Sequence, residues 1–180
     1  PSPYPAVPKM SEVQIHSALA WLMIVLAPIT LLGLFKRVAP YGRHQEKAAR
    51  FALPTRWAWL LMESPTIILF AFLYAQGEQR GELVPLLLLG IWMLHYLHRT
   101  VIWPFRVPKN ARTVPLFIVL SGFLFQLWNC TINARHLSEF GHYPNAWLSD
   151  PRFIFGSLLF ITGFAINFWA DSVLFKLRKP

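Results

Sequence analysis

Five stretches of this chain are apolar over the length that crosses a bilayer, and charged residues gather between them. Val13 to Phe35 carries no charge, Trp57 to Gly77 carries only Glu63, and Leu83 to Pro104 is interrupted by Arg99. Thr113 to Ala134 and Phe153 to Ala170 are again uncharged. A helix needs about 20 mostly apolar residues to span hydrocarbon. The pattern therefore predicts five transmembrane helices, at about 13–35, 57–77, 83–104, 113–134 and 153–175, forming one transmembrane domain over residues 1–180. The first is read as a span and not a cleaved leader, because it is long and lacks a basic n-region and a small-residue cleavage site. Prolines punctuate the pattern. Pro8, Pro40, Pro54, Pro85, Pro108, Pro115, Pro144 and Pro151 fall in loops or first turns, where a missing N–H costs little. Pro28 and Pro65 fall inside spans and are expected to kink them.

Composition narrows the class further. Of 180 residues, 55% are hydrophobic and only 14% charged, against about 25% charged in soluble domains. Mean hydropathy is +0.42, and 16% aromatic residues with eight Trp suit a chain meeting lipid and its interfaces. One cysteine, Cys130, rules out an intrachain disulfide and any Cys-rich metal centre. The fold class is an all-α polytopic membrane protein.

The net charge of +9 is a matter of topology more than of nucleic acid, for which no partner role is expected. Lys36, Arg37, Arg43, Lys47, Arg50 and Arg56 follow span one; Arg99, Arg106, Lys109 and Arg112 close span three; Lys176, Arg178 and Lys179 end the chain. These 13 of 17 basic residues fall on one side of a five-span layout. The positive-inside rule then puts the N-terminus outside, periplasmic or lumenal, and these loops in the cytosol. A bacterial inner membrane or the endoplasmic reticulum fits equally well.

Ionisable groups inside hydrocarbon are costly, about 2.5–3.5 kcal/mol at a helix centre on insertion scales, so they are the first functional candidates. Here they are Glu63, His95, His98, Arg99 and Asp171, with Tyr96, Asn129, Asn133 and Asn167 as polar companions. Glu63 lies roughly 9 Å into span two from its cytosolic start, and Tyr96 roughly 12 Å into span three, at 1.5 Å per residue. Asn167 and Asp171, one turn apart on one face, close span five on the same side. Plainer roles exist for each. Glu63 could pair with Arg99, Tyr96 could be an interfacial aromatic, and Asn167 with Asp171 could be a helix-end hydrogen-bonding pair. His95 and His98 lack a third ligand at helical spacing, and no metal site is expected. No G-x-G-x-x-G, Walker A, G-x-S-x-G or H-E-x-x-H motif occurs. The sequon at Asn129-Cys130-Thr131 lies within span four and is expected to be unused.

Several separated motifs resemble the membrane steroid 5α-reductases (3-oxo-5α-steroid 4-dehydrogenases), here in a bacterial-type member. Leu94-His95-Tyr96-Leu97-His98-Arg99-Thr100 is similar to the family's H-Y-x-x-R signature. Met62-Glu63-Ser64-Pro65-Thr66 resembles its span-two motif. Ser149-Asp150-Pro151-Arg152-Phe153, Gly163 to Asn167, Asp171 and Leu177-Arg178-Lys179-Pro180 follow in family order. The family reduces the Δ4 bond of 3-oxo-Δ4 steroids with NADPH, inside a seven-helix bundle. The resemblance implies that Glu63 and Tyr96 hydrogen-bond the steroid C3 carbonyl and that Trp59 and Phe125 line the steroid slot. It further implies that Asn167 and Asp171 hold the nicotinamide and its ribose, with Arg178 and Arg112 meeting the phosphates.

Elementary chemistry accords with those roles. Hydride addition to C5 of an enone drives negative charge onto the carbonyl oxygen, and donors aimed there lower the barrier, by about 2.7–4 kcal/mol each. A phenol donates readily. A carboxyl group donates only when protonated, the form a low-dielectric setting favours. Arg99, one turn from Tyr96, would oppose this by pairing with Glu63, and it is expected not to do so. The chain departs from the family in two ways: it ends where the family continues for roughly a third of its length, so it looks like the first five helices with a C-terminal part lacking. Met62 and Ser121 stand where some members have Gln and Arg, which leaves the natural steroid open. The expected partners are a steroid or similar apolar enone and membrane lipid, around a monomer. Three alternatives stay open: a reductase of another enone or enoyl lipid, an isoprenylcysteine-type membrane methyltransferase, and a transporter or scaffold with a structural Glu63–Arg99 pair.

Overall fold

The computed structural model describes residues 10–36, 50–108 and 113–177. They divide between two units, residues 1–39 and 40–180. Helix α1 (Glu12–Lys36) is the first unit's one described element. It opens with a reciprocal cap: Gln14 N donates to Ser11 Oγ at 3.3 Å, while Ser11 N donates to Gln14 Oε1 at 2.9 Å. None of its residues is buried, and Trp21, Leu32 and Phe35 point outward, as suits a helix solvated by acyl chains.

The second unit contains four further helices long and apolar enough to span, giving five among the described residues, at Glu12–Lys36, Thr55–Tyr74, Leu83–Arg106, Leu116–Phe140 and Pro151–Leu177. The chain is thus a polytopic helical membrane protein. The sequence pattern places span three's end at Pro104 and span four's at Ala134, and both helices run on. Hydrophobic run length reads where hydrocarbon ends, whereas a helix continues as long as its backbone groups find partners.

Span two is two helices end to end, α2 (Thr55–Glu63) and α3 (Pro65–Tyr74). Pro65 has no N–H to give the Leu61 carbonyl. Ser64 supplies the missing donors, its backbone N at 3.3 Å and its Oγ at 2.9 Å from that oxygen. Ile67 N turns to Ser64 O, at 3.3 Å. The Glu63 carbonyl is then capped by side chains: Thr66 Oγ1 donates to it at 2.6 Å and Thr100 Oγ1 at 3.5 Å. The proline break thus stands at the span's single acidic residue.

Span three is α4 (Leu83–Leu97), a π turn at His98–Ile102, and α5 (Trp103–Arg106). Pro104 cannot bond the carbonyl four residues back. The chain widens ahead of it, with Trp103 N reaching His98 O. Span four is α6 (Leu116–Arg135), extended by a second π turn at His136–Phe140. A 3₁₀ turn at Asn145–Ser149 leads into α7 (Pro151–Leu177), where Pro151 takes the first helical position. Asp150 Oδ1 accepts from Arg152 N at 2.8 Å, and the Arg152 guanidinium grips both carboxyl oxygens. Those bonds hold the Asp150 carboxyl down to about 2.

Two three-residue strands, β1 (Ala52–Pro54) and β2 (Thr113–Pro115), pair antiparallel with Leu53 opposite Val114. They staple the start of span two to the start of span four. Helix α6 packs along both α2 and α3. One apolar cluster joins Phe70, Tyr74, Cys130 and Ala134, and another joins Ala58, Val114 and Val119. Helix α7 meets α4 and α5 through rings: Phe164 lies 5.3 Å from His98, and the Arg106 guanidinium sits 4.8 Å above Phe168.

At the far end the turn after α3 is sewn onto the π turn after α6. Gln79 N donates to Ser138 O at 2.8 Å and Glu78 N to Glu139 Oε2 at 2.9 Å. Gly77 permits this approach, since a Cβ there would strike the Ser138 backbone oxygen and side chain. Gly77→Ala is therefore expected to cost about 1–3 kcal/mol, the usual penalty of overpacking. A lowered midpoint in thermal unfolding of the detergent-solubilised protein checks it, and an unchanged midpoint counts against the close approach.

Candidate functional site

Three spanning segments bring their polar groups together through side-chain amides. Glu63, 7% exposed at the α2–α3 break, accepts on Oε2 from Gln126 Nε2 at 2.6 Å. Gln126 Oε1 accepts from Asn129 Nδ2 at 3.1 Å, and the same nitrogen lies 3.5 Å from the Tyr96 hydroxyl. Asn133 Nδ2 donates to Asn129 Oδ1 at 2.9 Å. A continuous polar chain thus joins α2, α6 and α4, with Glu63 at one end and Tyr96 within reach of the other.

Helical spacing explains the α6 part. Gln126, Asn129 and Asn133 stand three and four residues apart and share one face. Gly122, one turn earlier, leaves room for the Met62 side chain, so α2 comes close. On α4 the Tyr96 ring is held by Trp92, with centroids 4.5 Å apart, and Trp92 stacks in turn on Phe70 at 4.1 Å. Trp92 Nε1 donates to Thr66 O at 2.9 Å, which locks this aromatic ladder to the helix start just after Glu63.

Two cavities adjoin the chain. One of about 440 Å³ is walled by Phe70, Trp92, Tyr96, Asn133, Tyr143 and Phe160, together with other residues of α4 and of the π turn after α6. It is mostly apolar, with Tyr96, His95, Asn133 and His136 as polar points, the composition expected of a small-molecule site. The other, of about 250 Å³, lies between α4 and α7 and is lined by His95, His98, Arg99, Phe160, Phe164 and Asn167. His95 and Phe160 border both, so the two cavities adjoin along α4 and α7.

His98, which lines the smaller cavity, has a polar atom that the described residues do not satisfy. Its Nε2, Asp171 Oδ2 on α7 and Arg106 Nη1 on α5 are buried without a hydrogen-bond partner among them. Arg106 is held in place through its other nitrogen, which donates to Ser172 Oγ at 2.7 Å. Such orphaned groups are costly unless a ligand completes them. A carboxylate acceptor, an imidazole and a guanidinium donor suit a polar, hydroxyl-bearing ligand carrying an amide or anionic group.

The other sequence candidates fall as follows. Glu63 and Tyr96 are brought together, and Asn167 borders the cavity that reaches His95, next to Tyr96. Trp59 packs on Trp103 at 4.8 Å and lines neither cavity, although the Arg99 guanidinium that sits 4.0 Å above its ring lines the smaller one. Phe125 is 49% exposed on α6 and borders neither cavity. Arg112 and Arg178 lie outside the described residues. Gln126 is the residue that reading the sequence did not single out, although its i,i+3 spacing to Asn129 was there to be seen.

Comparison with known proteins agrees in kind. A sequence model described as 3-oxo-5-alpha-steroid 4-dehydrogenase matches residues 112–180. The 3-oxo-5-alpha-steroid 4-dehydrogenase 1 of Bos taurus is 34% identical over 176 residues, covering 96% of this chain and 68% of that protein. The human protein of the same name is 32% identical, covering 95% and 66%. A steroid 5-alpha-reductase DET2 from Gossypium hirsutum is 35% identical, covering 91% and 65%. The chain spans about two thirds of the length of these relatives. Identity at this level over nearly the whole chain establishes that it belongs to the 3-oxo-5-alpha-steroid 4-dehydrogenase family of membrane oxidoreductases.

Proposed function

We propose that this protein reduces the Δ4 double bond of a 3-oxo-Δ4 steroid with NADPH, Glu63 and Tyr96 together receiving the C3 carbonyl. The observation that carries this reading is the amide bridge from Glu63 through Gln126 and Asn129 to Tyr96, beside an apolar cavity of about 440 Å³. Two donor-capable groups from different spans, held near each other in hydrocarbon, suit an oxygen that becomes an enolate. NADPH supplies the hydride when bound. Asn167 and Asp171 would hold its nicotinamide and ribose, and the unsatisfied Asp171 oxygen fits a ribose hydroxyl. Arg112 and Arg178 are the proposed phosphate contacts.

The chain's own residues then do three things. Tyr96 and Glu63, the latter as the neutral acid, hydrogen-bond the carbonyl oxygen. They stabilise the charge that gathers there as C5 is reduced, and such donors act most strongly where water is excluded. The apolar wall of Phe70, Leu88, Ile91 and Phe160 keeps water out and accepts the steroid skeleton. Trp59 and Phe125 stay proposed as further contacts of the steroid slot. Membranes containing the full-length protein, given a Δ4-3-keto steroid and NADPH, should yield a product heavier by two hydrogen atoms. NADPH, and not S-adenosylmethionine, should protect the protein against heat; the reverse would favour a methyltransferase.

Orientation belongs to the same proposal: N-terminus outside, cofactor side in the cytosol, the chain acting as a monomer in the bacterial inner membrane or endoplasmic reticulum. Cys130 is fully buried, so an introduced cysteine reports with little background. A cysteine at Gly81, where a side chain meets open space, should react with an impermeant maleimide from the outside, and one at Lys109 only after the membrane is opened. The opposite pattern would invert the topology.

A further inference from the structure

We infer that Gln126 is a positioning residue that, with Asn129, fixes the direction of both donor protons; this rests on the proposed roles of Glu63 and Tyr96. Gln126 is 8% exposed and stands on α6, a helix that supplies neither donor. An amide has donors at one end and an acceptor at the other, and here its neighbours decide which end faces which. Asn133 donates to Asn129, Asn129 donates to Gln126, and Gln126 donates to Glu63, so every link in the chain runs one way. Turning the Gln126 amide over would set its nitrogen against the Asn129 nitrogen and its oxygen against a carboxyl oxygen.

The consequence for the two donors follows from valence. Gln126 occupies Glu63 Oε2 as an acceptor, so the acid proton belongs on Oε1. Asn129 offers an N–H to the Tyr96 oxygen, so the phenol proton turns away from α6. On this arrangement both protons are available to a ligand oxygen. An aliphatic residue at position 126 would fill the space equally well while leaving the carboxyl free to rotate and to exchange its proton between the two oxygens. An amide pair among spanning helices, Gln126 buried and Asn129 half-buried, is an expensive way to fill space, and its one-way arrangement gives it a purpose.

The test is a double-mutant cycle on the full-length protein in membranes, assayed with a Δ4-3-keto steroid and NADPH. Gln126→Leu should lower kcat by about 10²-fold, the scale of a misplaced reacting group, while the steroid KM stays within about threefold. Gln126→Met, also apolar and unbranched, should do the same and stands in should the leucine variant not accumulate. In a Glu63→Gln background, Gln126→Leu should cause almost no further loss, because the proton it directs is already gone. Wild-type kcat in both Gln126 variants would overturn the assignment while leaving Glu63 and Tyr96 as donors. Losses that multiply in the double mutant would also overturn it, marking Gln126 as merely structural. A wild type that turns over no steroid while NADPH protects it against heat would remove the reading beneath it, and the assignment with it.

Discussion

Glu63→Gln is expected to reduce steroid turnover by about 10²–10³-fold, the loss seen when one donor to a developing oxyanion is removed. Glutamine has the same shape and can still accept from Gln126, so α2, the proline break and the capped Glu63 carbonyl should be undisturbed. What changes is acidity. An amide N–H is a poor donor to an enolate and cannot hand its proton over. The interaction is strongest in the transition state, so kcat should fall and the steroid KM should hardly move. A transporter or scaffold with a structural Glu63 predicts instead that the variant is functionally silent or simply less stable. Steady-state kinetics beside a thermal melt separates these outcomes: a fall in kcat at unchanged melting midpoint supports the acid.

Tyr96→Phe should cost about 10²-fold in kcat for the same reason. The substitution keeps the ring, and with it the stack on Trp92 and the edge contact to His95. It deletes only the hydroxyl that approaches Asn129. An interfacial aromatic, the ordinary role of a tyrosine at this depth, would lose nothing by this change. Because Tyr96 and Glu63 are proposed to serve one oxygen, the double variant should fall by less than the product of the single losses. Fully multiplicative losses would mean that the two residues act at separate places.

The spans were legible because hydrocarbon thickness imposes a length and a composition on any helix that crosses it. The similar depth expected of Glu63 and Tyr96 rests on a different signal, the clustering of basic residues that sets the proposed orientation. Pro65 marked the break in span two, but how the chain's interior joints are closed was not legible. Ser64 rescues the Leu61 carbonyl with both its N–H and its hydroxyl, a local hydrogen-bonding solution that leaves no mark on hydropathy. The π turn before Pro104 and the three-residue ribbon of Leu53 against Val114 are likewise too short to create a period.

Of the site, Glu63 and Tyr96 could be singled out from the sequence because charge and hydroxyl groups inside apolar runs stand out, while the donor roles proposed for them come from the family resemblance. Gln126 did not stand out, since a neutral amide in a long span looks like a tolerated polar residue. Its significance arises only when α6 is laid against α2 and the amide is seen to fall 2.6 Å from a carboxyl oxygen. Asp171 did stand out, but that its Oδ2 is buried without a partner among the described residues shows only in the folded chain.

The central claim is that a hydride reaches the steroid C5 while Glu63 attends the C3 oxygen. NADPH carrying deuterium at its transferable position tests it directly, with membranes of the full-length protein and a Δ4-3-keto steroid. One deuterium at C5, a second hydrogen drawn from solvent, and loss of that product in Glu63→Gln are the expected result. Unlabelled product, or labelled product formed equally well by Glu63→Gln, would contradict the account.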